Sequence, residues 1–252
     1  MKKFLIDTIK EAGDFLLDNF KQEKELAAKR TSSKEAALEY DEQSDQMIIE
    51  RIEEEYPQHK ILTEESGLQN NDSDKLWIID SLDGTGNFAN HNPLFSVCIA
   101  FIEGQQLKMG AVYAPALNEL YFAEKDEGAY LNGEEISVSD VKQLSNSYVV
   151  YCEGNQENRE KSGEAVSEVY PEVTDQRKIG SAGIETAWTA TGRVDGYWTM
   201  QIDPWDVAAG VLLIKEAGGK VTTFEGGQWT PDQHDLVCSN KKIHSELREL
   251  VE

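Results

Sequence analysis

Trp77-Ile78-Ile79-Asp80-Ser81-Leu82-Asp83-Gly84-Thr85-Gly86-Asn87-Phe88 is the stretch on which the reading of this 252-residue chain turns. Its β-branched and aromatic start reads as a buried strand. The strand runs into two aspartates three positions apart, then Gly-Thr and a helix start. Two carboxylates leaving one strand end at this spacing can curl around a common point, joined by the Leu82 carbonyl. Carboxylate and carbonyl oxygens suit a hard cation such as Mg²⁺. Gly84 and Thr85 add backbone N–H groups at a helix N-terminus, which suits phosphate. A plain polar turn at a strand end explains Asp-Gly but not the whole constellation.

On the N-terminal side, Leu5, Ile9, Ala12, Leu16 and Phe20 form an amphipathic stripe over residues 3–20. Residues 29–42 lack a clear period and are expected to form a mobile loop, with Lys34 as a cation able to reach a pocket. Asp45 is expected to start a second helix through Ile52, ended by Tyr56-Pro57. Ile61-Leu62-Thr63 reads as a short strand that also ends in acids, Glu64-Glu65, and Leu68–Lys75 as a surface loop. On the C-terminal side, short strands at 95–102, 107–113, 120–123 and 128–131 suggest an antiparallel meander. Beyond residue 147 helices alternate with strands, which argues for a layered α/β second half. Two halves are therefore expected, 1–143 and 144–252, the first carrying Glu64, Asp80 and Asp83, the second Asp206.

Composition bounds the function. Forty-seven acids against 24 Lys plus Arg leave a net charge of −23, which disfavours binding to nucleic acid or to an anionic membrane surface. Asp7, Lys10, Glu11 and Asp14 interrupt any signal-peptide core, and no apolar run approaches a membrane span, so a cytoplasmic protein is expected. Cys98, Cys152 and Cys238 are odd in number and widely spaced, as buried thiols in a reducing compartment would be.

Three acidic clusters ask for one explanation: Glu64-Glu65, Asp80 with Asp83, and Asp206 in Pro204-Trp205-Asp206-Val207-Ala208-Ala209-Gly210. Taken alone, Asp206 is explained as a first-turn acid worth about 1 kcal/mol. Brought together, Glu64, Asp80, Asp83 and Asp206 would repel severely unless cations neutralised them. That group matches a two-metal phosphoesterase.

These segments resemble the inositol monophosphatase family of Mg²⁺-dependent, Li⁺-sensitive phosphatases, over nearly the whole chain. Glu64-Glu65-Ser66 is similar to the family's Glu-Glu-Ser, Asp80–Phe88 to its Asp-Pro-Ile-Asp-Gly-Thr-x-Asn-Phe, and Trp205–Gly210 to its Trp-Asp-x-Ala-Ala-Gly. The spacing differs from the Asp-x-Asp-Gly-Thr nucleophile motif of haloacid-dehalogenase-type phosphatases, which would pass through an aspartyl phosphate. The resemblance implies a layered α-β-α-β-α sandwich of the inositol monophosphatase and fructose-1,6-bisphosphatase type, α+β or α/β in class, and commonly a homodimer. It implies two or three Mg²⁺ ions: Glu64, Asp80 and the Leu82 carbonyl on the first, Asp80, Asp83 and Asp206 on the second. It implies phosphate held by Gly84 and Thr85 N–H groups. It also implies a Thr85 hydroxyl paired with Asp45, helping Glu64 to orient and deprotonate the attacking water. Ser181 and Ala182 would line the alcohol side of the substrate, with Asp83 and Asp206 close to it.

Two departures stand out. Ser81 replaces the family's usual proline and is expected to loosen the turn between the aspartates. Leu38-Glu39-Tyr40-Asp41-Glu42 stands where the family usually shows Asp-x-Val-Thr. Seven positions before Asp206, Thr199 replaces a glutamate that grips inositol hydroxyls in animal-type members, so a broad specificity is expected. Inositol monophosphate-like substrates lead, with fructose 1,6-bisphosphate, NADP and 3′-phosphoadenosine 5′-phosphate as alternatives. A catalytically inactive binding protein on the same fold is the rival of a different class.

Overall fold

The structure, a computed structural model, describes residues 1–26, 33–69, 72–152 and 158–252. A first sheet of eight strands has the order β2-β1-β3-β4-β5-β6-β7-β8. Its members are β1 (Lys60–Thr63), β2 (Gly67–Gln69), β3 (Lys75–Asp83), β4 (Ser96–Glu103), β5 (Gln106–Ala114), β6 (Glu119–Glu124), β7 (Ala129–Leu131) and β8 (Glu134–Glu135). Only β1 and β3 run parallel; from β3 to β8 the sheet is an antiparallel meander. A second sheet has the order β10-β9-β11-β13-β12, from β9 (Tyr148–Cys152), β10 (Asp175–Arg177), β11 (Gly196–Met200), β12 (Lys220–Thr222) and β13 (Asp235–Ser239).

The strands' alternation sets the layers. On the first sheet, Trp77, Ile79, Ile99 and Phe101 face out and are covered by Leu5, Ile9 and Leu16 of α1 (Lys2–Leu26) and Ile48 and Ile52 of α2 (Ser33–Glu55). Ile78, Cys98 and Ala100 face the other way, onto Ala187 of α5 (Ala182–Ala190) and Leu212 of α6 (Pro204–Glu216). Tyr197 and Cys238 of the second sheet close the same core from below. Trp198 and Val237 face outward again, onto Val169 of α4 (Arg159–Val169) and Leu247 of α7 (His244–Val251). The result is the α-β-α-β-α sandwich that the resemblance implies.

The middle layer explains the small residues of α6. Every residue from Val207 to Ile214 is buried, because both sides of the helix face a sheet or α5. A side chain at Gly210 would overlap Thr186 of α5, and one at Gly110 of β5 would sit 2.8 Å from the Ala209 carbonyl. Among the described residues no helix is long and apolar enough to cross a membrane. Cys98 and Cys238 are buried and Cys152 partly so.

Two expectations are corrected. Residues 33–42 are not a loop but the first turns of α2. Ala37, Asp41, Ser44, Asp45, Ile48 and Ile52 form one buried stripe at helical spacing, but its middle is polar, so apolar periodicity hides it. The Lys34 side chain and residues 29–32 lie outside the described residues. The stretch after Ser66 is not all loop, since Gly67–Gln69 folds back antiparallel on β1.

Candidate active site

Residues three apart on a regular strand point to opposite faces, so Asp80 and Asp83 need a distortion to meet. Asp80 pairs with Cys98 and Asp83 with Ser96, leaving two residues of β3 opposite the single Val97. This bulge restores the phase, and both aspartates face the middle layer. Glu64 directly follows β1, whose parallel register sets Thr63 beside Ile79 and so carries Glu64 level with Asp80. Asp206 arrives in the first turn of α6, where it accepts from the Asp203 N–H at 3.1 Å; the helix N-terminus favours its negative charge.

Carboxylate oxygens of Glu64, Asp80 and Asp206 lie within 4.8 Å of one another. Burial, with the charges of neighbouring acids, pushes Glu64 up to about 7 and Asp80 and Asp206 well above the usual carboxylate range. Among the described residues no Lys or Arg forms an ion pair with any of them. Asp80 is buried, Asp206 half-buried and Glu64 open to solvent, and an all-oxygen donor set of converging carboxylates without a cationic partner among the described residues fits a hard divalent cation such as Mg²⁺.

Asp83 stands apart from that trio. Its Oδ2 accepts from Ser96 Oγ at 2.5 Å, from Ser181 Oγ and from Gly183 N–H at 3.0 Å, and its Oδ1 from Ala182 N–H at 2.8 Å. It therefore closes the N-terminus of α5, and these bonds oppose the rise that burial imposes on its pKa. A side chain at Gly183 would lie 2.9 Å from Asp83 Oδ2. Ser181 Oγ and Ala182 N–H, expected to line the substrate, are turned onto Asp83.

Leu82 donates its N–H to Asp80 Oδ1 at 3.1 Å and accepts the Thr85 hydroxyl on its carbonyl at 3.0 Å. The Thr85 hydroxyl is thus bonded to Leu82 and not, as expected, to Asp45. Asp45 instead accepts from Ser66 Oγ at 2.6 Å and Thr63 Oγ1 at 3.2 Å, while its Oδ1 is buried without a partner. Gly84, at φ +85°, starts the short helix α3 (Thr85–Ala89), and a side chain there would press on the Leu94 and Gly180 carbonyls at 3.0 and 3.2 Å. Thr199 shares the inner face of β11 with Tyr197; it is fully buried, with its hydroxyl unpartnered.

Ser81 is not loosened: its hydroxyl is bonded to Asp41 of α2. Sequence reasoning also missed the fixtures of the Ile179–Ser181 turn. Asn87 Nδ2 donates to the Leu94, Ile179 and Gly180 carbonyls at 2.7, 3.0 and 3.2 Å. Glu185 Oε1 accepts from the Ile179 and Gly180 N–H groups at 2.7 and 3.1 Å, and burial pushes its carboxyl up to about 8. The available signal was a lone acid inside the apolar run Ala182–Ala190.

The family model described as the inositol monophosphatase family matches residues 1–252. The chain is 35% identical over 249 residues to the fructose-1,6-bisphosphatase/inositol-1-monophosphatase of Thermotoga maritima, covering 98% of this chain and 94% of that one. It is 34% identical over 246 residues to the Nus factor SuhB of Escherichia coli, covering 96% and 92%. The solved structure of a Thermotoga maritima IMPase superposes with a TM-score of 0.87 at 33% identity, covering all of this chain and 97% of that one. Fold, acid cluster and sequence therefore agree, and the chain belongs to the inositol monophosphatase family.

Proposed function

We propose that the chain is a Mg²⁺-dependent phosphomonoesterase that cleaves inositol monophosphate together with other small phosphate esters. The observation that carries this is the convergence of Glu64, Asp80 and Asp206 within 4.8 Å, without an ion-paired Lys or Arg among the described residues. These three would hold the cation with the Leu82 carbonyl, and a second ion would draw on Asp83 through Oδ1, which accepts a single hydrogen bond. When bound, Mg²⁺ supplies positive charge to the phosphate and the leaving oxygen. Backbone N–H groups at Gly84 and Thr85 open α3, where the first turn has no intrahelical acceptors, and they bind the phosphate. Glu64 would orient the attacking water and take its proton, and Asp45, whose Oδ1 has no hydrogen-bond partner among the described residues, would support it from α2.

Broad specificity is supported by the double name of the Thermotoga maritima relative, whereas Thr199, fully buried, lends it nothing. The test is phosphate release, with and without Mg²⁺, from inositol 1-phosphate, fructose 1,6-bisphosphate, NADP, adenosine 3′,5′-bisphosphate and glycerol 2-phosphate. Comparable kcat/KM on inositol 1-phosphate and at least one other ester is expected. A hundredfold preference for inositol 1-phosphate over all the others removes the broad reading. No release with any divalent metal removes catalysis and leaves a binding protein on this fold.

A further inference from the structure

The residue between Asp80 and Leu82 is gripped from a distant helix. Ser81 Oγ donates to Asp41 Oδ1 at 2.6 Å, a side-chain hydrogen bond that spans 40 positions of sequence, and lies 3.3 Å from the Asp41 carbonyl. Ser44, one turn further along α2, donates its hydroxyl to the Ser81 carbonyl at 3.1 Å. All three residues are buried: Asp41 and Ser81 are 2% exposed and Ser44 is fully enclosed. Two of the places where the chain departs from the family's pattern, Ser81 and the Leu38–Glu42 segment, are thus in direct contact.

The physical need is plain. The turn must present the Asp80 carboxylate and the Leu82 carbonyl toward Glu64 and Asp206, out of phase with a regular strand. A proline ring fixes φ and narrows that turn's alternatives before any metal binds. Serine carries no such restriction, so some other constraint has to supply the order. A buried carboxyl is costly to keep without a bond, and at Asp41 burial pushes the pKa up to about 8. Its retention at a core position of α2 asks for a use.

We propose that Asp41 is a positioning residue which, through Ser81 and together with Ser44, holds the Asp80–Leu82 turn in the geometry that binds the cation. This rests on the reading of Glu64, Asp80 and Asp206 as metal ligands. Removing a hydrogen-bond partner behind a metal ligand typically weakens the metal ~10–100-fold. Ser81→Ala and Asp41→Ala should therefore each weaken Mg²⁺ binding by ~10-fold or more, and the double variant no further than the worse single. Asp41→Asn keeps an acceptor oxygen and should stay within a few-fold of wild type. Ser81→Pro, which replaces the bond by a ring, should restore affinity in the Asp41→Ala background.

The measurement is Mg²⁺ titration calorimetry on the full chain, with kcat read separately at saturating Mg²⁺, where most activity should return. Mg²⁺ affinity in Ser81→Ala within twofold of wild type overturns the proposal, as does failure of Ser81→Pro to restore affinity. If Asp41→Ala does not fold, Ser81→Ala and Ser81→Pro in the otherwise unchanged chain decide it, with weak and near-normal binding expected. Asp206→Asn is the control. If it binds Mg²⁺ as tightly as wild type, the ligand reading itself has failed, whatever Asp41 does.

Discussion

Two of the places where this molecule holds titratable side chains out of water are built in opposite ways. At the edge of the middle layer, exposed Glu64 and half-buried Asp206 converge on buried Asp80, and among the described residues no Lys or Arg pairs with them and Asp45 Oδ1 nearby has no hydrogen-bond partner. Under the outer layer, His244 opens α7 with both ring nitrogens satisfied, Nε2 with Thr222 Oγ1 and Nδ1 with Ser239 Oγ, each at 2.9 Å. A buried polar group that is fully hydrogen-bonded needs no explanation beyond structure. A buried charge without a partner is retained against its cost, and such sites are where stability has been given up for function. The contrast separates a binding centre from a structural fixture without appeal to any relative.

The sharpest way to break this contrast is to neutralise one acid. Asp206→Asn should lower turnover at saturating Mg²⁺ by at least about 10²-fold, the scale of losing one preorganised electrostatic contact. Without metal, it should not destabilise the protein. The folded-state pKa of Asp206 is raised above its unfolded value, so its ionised form works against folding at pH above that unfolded value. In EDTA the Tm of the variant should therefore equal or exceed that of wild type, with the gap widening as pH rises above the ordinary carboxylate range. Wild-type turnover in Asp206→Asn, or a Tm that falls by several degrees, sinks the assignment.

A second test sharpens the same side. Cation binding requires ionised carboxylates, while burial and neighbouring acids raise Glu64 to about 7 and Asp80 and Asp206 well above the usual carboxylate range. Protons and Mg²⁺ therefore compete, and affinity rises with pH. One proton released per ion gives ~10-fold per pH unit, so roughly tenfold or more is expected between pH 6 and pH 8. Calorimetry in two buffers of different ionisation enthalpy counts the protons directly. A pH-independent Kd with no proton release would mean that the ion binds elsewhere.

Much of this centre could be read from the chain, because its ligands lie in short local signatures. Asp80, Asp83 and Gly84 adjoin one another, Glu64 follows a strand, and Asp206 opens a helix. What could not be read are the bonds between segments far apart. Asp83 is satisfied by residues 98 to 100 positions later, Ser81 by one 40 positions earlier, and the Ile179–Ser181 turn by Asn87. No local period encodes such pairs. The β3 bulge is equally silent, because one extra residue changes which face a side chain takes without changing composition. α2 was under-read because the face it turns to the site is polar, and apolar spacing is the signal that periodicity detects.

The smallest effect tests the other half of the contrast. His244 is held neutral: burial, with a smaller push from Lys220 and Arg248, lowers its pKa from 6.5 to about 4. The unfolded chain takes up a proton near pH 6.5 and the folded one only near pH 4. Between those values the unfolded state binds more protons, so this contribution is fully present above pH 6.5 and is lost as pH falls toward 4. Its full size is on the order of 1–3 kcal/mol. His244→Gln removes the titration while keeping one donor and one acceptor. At pH 7 the variant should be less stable by about 1 kcal/mol, for an imperfectly replaced pair of hydrogen bonds. At pH 5 wild type has lost part of its advantage and the gap should shrink or close. Urea unfolding of both proteins at the two pH values, in EDTA so that the acidic centre contributes equally, reads that gap. A gap that stays constant or widens toward pH 5 would mean that His244 does not titrate as a satisfied, neutral fixture, and the two sites would no longer stand as opposites.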